Sequence, residues 1–169
     1  MDIARRRLSK EQIAIYKSQA KDIILECDGD NLFKWTGYVK GPPDSAFSEG
    51  WFKLKFDVGQ NYPAEPPKVK FLTRVFHPNV HFETGEICLE VLKSGHWNAQ
   101  WTLESVCRAI ANLLLNPNAD SPLNCDAGNA IRAGDMLAFN SMAKMFTVEA
   151  AMQESKEEAE LILENRNLI

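Results

Sequence analysis

Two stretches that alternate with a period of two constrain this chain more than anything else in it. Phe33, Trp35 and Val39 stand against Lys34, Thr36 and Tyr38, and Phe52, Leu54, Phe56 and Val58 stand against Lys53, Lys55 and Asp57. Successive side chains of a strand point to opposite faces, so both stretches are predicted to be half-buried antiparallel strands. The intervening GPPDSAFSEG carries the turn residues a hairpin connection needs. Helical spacing flanks the strands. Leu8, Ile13, Ile15 and Tyr16 are the apolar positions of a helix predicted from Ala4 to about Ala20, and Val106, Ile110, Leu113 and Leu114 recur at helical intervals. Thr102, with Glu104 behind it, starts this second helix and Pro117 stops it; its apolar residues fall on more than one side, which predicts a core element lying across the sheet. Pro66 and Pro67 read as fixing a loop rather than as a ligand for a polyproline-binding module, because they lead into a β-like run from Val69 to Leu72. The chain from Gly134 onward reads as helix. At 169 residues, 45% of them hydrophobic, it fills one buried core and is too short for two ordinary domains.

The net charge of −4 gives no electrostatic reason to expect nucleic acid or an acidic membrane as the main partner. Trp51, Trp97 and Trp101 read as packing residues rather than a stacking platform for bases. Arg5, Arg6, Arg7 and Lys10 form a local basic cluster on the first helix, which is either a solvated face or a docking surface. Cys27, Cys88, Cys107 and Cys125 lack paired CxxC spacing and the density of a secreted disulfide scaffold, so a reducing compartment fits. With neither a signal peptide nor an apolar run of bilayer length, the chain is expected to be soluble and to reach any membrane through a partner.

In HPNVHFETGEICLEVL a His-Pro-Asn turn stands nine residues ahead of Cys88. A cysteine between Ile87 and Leu89 is by default a small buried hydrophobe. Here Gly85 and Glu86 turn the chain just upstream. Asn79 offers a side-chain amide able to hydrogen-bond an oxyanion on a substrate held at the sulfur; its plainer reading is a turn-forming Asn after a proline. His77 as general base would complete a cysteine, histidine and asparagine set of the hydrolase kind, but proximity in sequence is not that geometry. His81, His96 and Cys88 match no closed zinc site and lack a second cysteine pair, so no metal is expected. Cys107 lies on the second helical pattern and reads as core.

YPAEPPKVKF, HPNV, GEICLEVL, WNAQWTL and NPNADSPLN, running from Tyr62 to Asn124, resemble the ubiquitin-conjugating enzyme family in order and spacing. HPNVHFETGEICLEVLK and SPLNCDAGNAIRAGDMLAFNSMAKMF resemble the peroxisomal, peroxin-type branch of that family. The resemblance implies the α+β ubiquitin-conjugating (UBC) fold: an N-terminal helix, a four-stranded antiparallel meander sheet and C-terminal helices. The expected divisions are a core domain over 1–152 and a C-terminal helical extension over 153–169. In that extension Leu161, Ile162 and Leu163 suggest one apolar strip, the alternative being a frayed terminus.

The resemblance also assigns roles. Cys88 would accept ubiquitin as a thioester from the activating enzyme and pass it to a protein acceptor, with Asn79 donating to the oxyanion. His77 and Pro78 would hold the turn, and Glu90, Asp120 and Ser121 would position the acceptor; Ser121 departs from the aspartate often found there, which weakens any claim for an acid at that point. Docking of the activating enzyme and of ligases would fall on Arg5, Arg6, Arg7 and Lys10 and on the loops holding Ala64, Asn98, Ala99 and Gln100. Ala64 replaces a large apolar residue, and Asn98, Ala99 and Gln100 replace Ser-Pro-Ala, so a dedicated ligase is expected rather than a promiscuous set. The implied partners are ubiquitin, its activating enzyme, RING-type ligases of the peroxisome and a membrane-anchored peroxin tether, and the implied acceptor is the peroxisomal import receptor. The implied location is the cytoplasm, at the cytosolic face of peroxisomes; the alternative is a general cytosolic conjugating enzyme. No cofactor is expected, because ATP is consumed by the activating enzyme.

Overall fold

Four consecutive strands, β1 (Ile23–Asp28), β2 (Asn31–Lys40), β3 (Trp51–Asp57) and β4 (Lys68–Phe71), pair antiparallel in sequence order, which is the expected meander. The structure is a computed structural model that describes residues 2–18 and 20–166. Gln19, at the end of the expected first helix, and 167–169, at the end of the expected extension, therefore lie outside the described residues. Ahead of the sheet comes α1 (Ile3–Lys17); behind it come α2 (Leu103–Leu115), α3 (Cys125–Arg132), α4 (Met136–Phe146) and α5 (Glu154–Arg166). A π-helical turn, Thr147–Ala151, joins the last two.

The alternation sets the register. Trp35 pairs with Phe56 and Val39 with Phe52 across β2 and β3, and Leu54 pairs with Phe71 across β3 and β4. All of these face the core, where α2 lies against β1 and β2 through Leu103, Val106, Cys107, Ile110 and Leu114. Burying side chains of this size contributes roughly 1.5–3 kcal/mol each. The cap of α2 differs in detail from expectation. The Thr102 hydroxyl accepts from the Ser105 amide at 3.1 Å, and the Ser105 hydroxyl accepts from the Thr102 amide at 2.7 Å, so Ser105 rather than Glu104 closes the capping box.

α1 buries a different stripe from the one its apolar residues suggest. Ala4, Leu8, Glu11 and Ile15 face inward, while Ile13 and Tyr16 are exposed. The cause is Glu11, only 5% exposed, whose carboxylate is fully engaged. Oε1 accepts from Arg7 Nε at 2.6 Å and from the Tyr62 hydroxyl at 2.6 Å, and Oε2 accepts from the Leu103 amide at 2.8 Å. A buried charge is tolerable when it is paired and saturated with donors in this way.

The polar face of the sheet is not uniformly solvated. Ile24, Tyr38 and Trp51 form a second apolar cluster on that face, covered by Ala159, Ile162 and Leu163 of α5. The Tyr38 hydroxyl donates to Glu158 at 2.7 Å and Lys53 bridges to the same carboxylate at 2.7 Å. Beneath the helix, the Thr73 and Ser155 hydroxyls meet at 2.8 Å. The strip that docks α5 is Ser155, Ala159, Ile162 and Leu163, whereas Leu161, grouped with it by sequence, faces solvent. Tyr38 alternates as a solvent-facing residue in sequence and is buried because this helix comes back over it.

Candidate active site

Cys88 is held at the end of a short return. Gly85 occupies the left-handed region at φ 72°, and a Cβ there would meet the Phe71 carbonyl oxygen at 1.9 Å, so the turn packs onto β4 only with glycine. From that turn the chain pairs back on the residues after the His-Pro-Asn turn. Val80 bridges Ile87, the His81 amide donates to the Glu86 carbonyl at 2.8 Å, and the Cys88 amide donates to the Asn79 carbonyl at 2.8 Å. Cys88 is half-buried, beside the turn that carries Asn79.

His77 is fully buried among Phe47 and Phe139. Its Nδ1 accepts from the Asn79 amide at 3.1 Å, which fixes the turn. Burial pushes its pKa down from 6.5 to about 4, with the nearby Leu113 backbone acting weakly the other way. The ring is therefore neutral at pH 7, with its basic nitrogen already occupied by a backbone amide, which leaves no geometry for a general base. Pro78 completes the turn by accepting at its carbonyl from the amides of Leu123, at 2.7 Å, and Asn124, at 3.2 Å.

Asn79 is also buried and is doubly tied. Its Nδ2 donates to the Asn118 carbonyl at 2.9 Å, and its Oδ1 accepts from the Asn118 amide at 2.8 Å. One Nδ2 proton remains beyond those bonds, because a side-chain amide has two to donate. Asn118 thereby anchors the segment 118–124, which carries the exposed Asp120 and Ser121, to the same turn. Sequence reading did not single out Asn118, since an asparagine in NPNAD carries only a turn signal.

Beyond Cys88 the chain forms a 3₁₀ turn, Glu90–Leu92, and Glu90 lies in an exposed cluster. Its carboxylate accepts from Lys93 Nζ through one oxygen and from His96 Nδ1 at 2.7 Å through the other. Glu90 is held below the usual carboxylate range mainly by the Lys93 hydrogen bond. The other thiols are differently placed. Cys107 is wholly buried, which pushes its pKa strongly up. Cys27 is raised by burial and neighbouring acids, with its thiol donating to the Gly29 carbonyl at 3.0 Å. Cys125 is exposed at the start of α3.

The structure separates the residues expected to dock partners into two kinds. Arg7 is turned inward. Besides Glu11, it donates through Nη1 to the Ala99 carbonyl and through Nη2 to the Trp101 carbonyl, each at 2.8 Å. Arg5, Arg6 and Lys10 face solvent, with the Arg5 guanidinium over the Phe33 ring. Ala64, Asn98, Ala99 and Gln100 are all exposed and lie on one composite surface, because Trp97 Nε1 donates to the Pro63 carbonyl at 2.8 Å and joins the two loops. The Glu11 and Tyr62 contacts that brace this surface have no signature in sequence. Among the described residues no group of three or more His, Cys, Asp or Glu is arranged to hold a metal ion.

A meander sheet crossed by one helix, with a half-buried thiol beside a His-Pro-Asn turn, defines a ubiquitin-conjugating enzyme, a transferase. The chain belongs to that family: the family model described as ubiquitin-conjugating enzyme matches residues 7–147. It is 53% identical to Protein PEROXIN-4 of Arabidopsis thaliana, over 90% of this chain and 98% of the relative. It is 51% identical to the ubiquitin-conjugating enzyme E2 pex4 of Dictyostelium discoideum, over 83% and 95% respectively. Among solved structures, the H. polymorpha ubiquitin-conjugating enzyme Pex4p, in complex with the soluble domain of Pex22p, superposes with a TM-score of 0.81 at 31% identity. That match covers 88% of this chain and 98% of the other.

Proposed function

We propose that this enzyme carries ubiquitin as a thioester on Cys88 and delivers it at peroxisomes to the import receptor. The observation that carries the thiol assignment is the contrast among four cysteines. Only Cys88 is both accessible and set against the His-Pro-Asn turn; Cys107 is enclosed, and Cys27 and Cys125 stand elsewhere. The chemistry is acyl exchange. The Cys88 thiolate attacks the thioester of the loaded activating enzyme, and an acceptor amine later attacks the new thioester, with the oxyanion of that second step facing the remaining Nδ2 proton of Asn79. Glu90, Asp120 and Ser121 line the approach and orient the acceptor.

The peroxisomal part rests on the relatives. The peroxin-4 proteins of a plant and an amoeba are more than half identical over most of the chain, and the H. polymorpha relative is held by the soluble domain of Pex22p. No described helix is long and apolar enough to cross a membrane, so a membrane-anchored peroxin would provide the tether. An apolar face suits such a partner: Leu137, Met145 and Val148 are exposed along α4 and the following turn. Peroxisomal RING ligases are the matching partners for the composite loop surface around Ala64 and Gln100. The test is depletion with imaging of a tagged copy. The tagged protein is expected on peroxisomes, with matrix import lost and the receptor retained there without its ubiquitin; normal import with a diffuse tag would reduce the assignment to general cytosolic conjugation.

A further inference from the structure

Where β4 meets the return that carries Cys88, the surface opens into a groove of about 840 Å³. An isolated antiparallel bridge pairs Lys70 of β4 with Glu86, and the Phe71 amide donates to the Gly85 carbonyl at 2.9 Å. Because the bridge is antiparallel, stepping back along β4 from Lys70 to Lys68 runs in the same direction as stepping on from Glu86 to Cys88. Pairing stops at the bridge, so the two chains part, and the groove lies between them with Val69 on one side and Ile87 and Leu92 on the other. These three apolar residues are half-buried, and Ile87 is the immediate neighbour of Cys88.

The sheet side of the groove is basic. Lys55, Lys68 and Lys70 line it and Lys34 stands alongside on β2, all four exposed. One carboxylate serves them: Asp57 pairs with Lys34 through one oxygen, lies 3.8 Å from Lys55 through the other, and faces Lys68 across the strands. Lys55 and Lys70 are direct cross-strand partners, an arrangement of like charges that weakens a sheet. The remaining acids of the groove do not relieve it. Glu65 is engaged by the Asn61 side-chain amide at 3.1 Å, and among the described residues neither Glu86 nor any other acid forms an ion pair with Lys68 or Lys70. Two ammonium groups without partners thus border an apolar slot at the reaction centre.

We propose that this groove reads the acceptor: a short extended segment of the target protein lies along it, with acidic side chains on Lys68 and Lys70 and apolar ones on Val69, Ile87 and Leu92, so that a lysine beside the acids meets Cys88. The inference deepens the conjugating function proposed above and rests on it. Lys68 and Lys70 are two residues apart on a strand, about 7 Å. An extended segment repeats at the same spacing, so the acids it engages fall about two and four positions from the target lysine. An anionic membrane would also be drawn to ammonium groups, but a slot with an apolar floor, ending at the thiol, fits a peptide. The acids steer and hold the segment, and the chemistry of transfer is unchanged. Each contact is exposed and therefore modest, so the groove ranks acceptors without restricting the enzyme to one.

The experiment loads the full chain with activating enzyme, ATP and ubiquitin, removes the ATP, and times discharge onto synthetic peptides. Each peptide has one lysine, flanked two and four positions away by glutamate, glutamine or arginine, and each rate is divided by that enzyme's own rate to free lysine, so that a general loss cancels. The glutamate peptide should accept ubiquitin roughly 3- to 10-fold faster than the glutamine one. The preference should shrink toward 1 M salt, where the screening length falls to about 3 Å. Lys68→Gln with Lys70→Gln should abolish it, and Lys68→Glu with Lys70→Glu should transfer it to the arginine peptide; melts by circular dichroism confirm that each variant is folded. Equal rates for the three peptides overturn the inference and leave the conjugating function standing, as does a preference that survives both double variants. Binding of the parent to phosphatidylserine vesicles without a peptide preference overturns it in favour of a membrane contact. Failure to form any thioester overturns the functional reading, and this inference with it.

Discussion

Arg7→Ala separates an internal brace from a docking contact. In sequence Arg7 is one of four basic residues on a helix expected to meet other proteins, but in the structure its guanidinium joins α1 to two distant carbonyls and to the buried Glu11. Removing one partner of a fully buried ion pair costs ~3–5 kcal/mol. Here the Arg7 side chain is 24% exposed, so water replaces part of what is lost, and the two carbonyls can rehydrate at the surface. The expected loss is therefore about 2 kcal/mol. For a domain of this size that corresponds to a melting midpoint lower by about 4–8 °C. Arg7→Lys should recover little of it, because a point charge cannot engage Glu11 and both carbonyls together. Thermal melts by circular dichroism, run beside charging rates, supply the readout. Arg6→Ala is the control: it should melt within about 1 °C of the parent, as exposed substitutions do. Glu11→Gln combined with Arg7→Ala should be less harmful than the sum of the two changes, since they disrupt one network. An Arg7→Ala protein that melts with the parent yet charges slowly would refute the brace and return Arg7 to the docking surface.

His77 should make the fold acid-sensitive. Its pKa falls from 6.5 unfolded to about 4 folded, so the full stabilisation is present above pH 6.5 and is lost as pH drops toward 4, by about 3 kcal/mol in all. Urea unfolding at several pH values should show this decline, and His77→Asn should flatten it; an unchanged slope would contradict the buried neutral imidazole. Asn79→Ala should charge nearly normally and discharge to lysine roughly a hundredfold more slowly, whereas parallel loss of both, with a lower melting midpoint, would make the Asn118 tie its whole role. Ending the chain at Met152 uncovers Ile24, Tyr38 and Trp51, so the truncated protein should melt lower and bind an apolar dye while still forming a thioester. A truncated protein that is folded yet cannot be charged would tie α5 to catalysis.

The strands and the crossing helix were legible in the sequence because their apolar residues obey a fixed period. Phe52, Leu54 and Phe56 announce a core face on any reading, and Pro117 marks a stop. The residues that escaped sequence reading are those whose burial depends on partners far along the chain. Glu11 looks like a surface acid until Arg7, Tyr62 and Leu103 enclose it, and Tyr38 looks solvated until α5 returns over it. α3, just after Asn124, was not marked out separately, since its eight residues are too few to show a period. At the site, Cys88, Asn79 and the turn stood out through the motif, whereas Asn118 acts through a contact with Asn79, 39 positions away, that no local pattern encodes.

Charging of single-cysteine variants tests the central claim most directly. The protein is incubated with activating enzyme, ATP and ubiquitin, then divided between gels with and without reductant. A chain retaining only Cys88 should form one reductant-sensitive adduct, and Cys88→Ser should form a reductant-resistant ester or nothing. A reductant-sensitive adduct that survives Cys88→Ala would contradict the account, because it would place the reacting thiol on Cys27, Cys107 or Cys125.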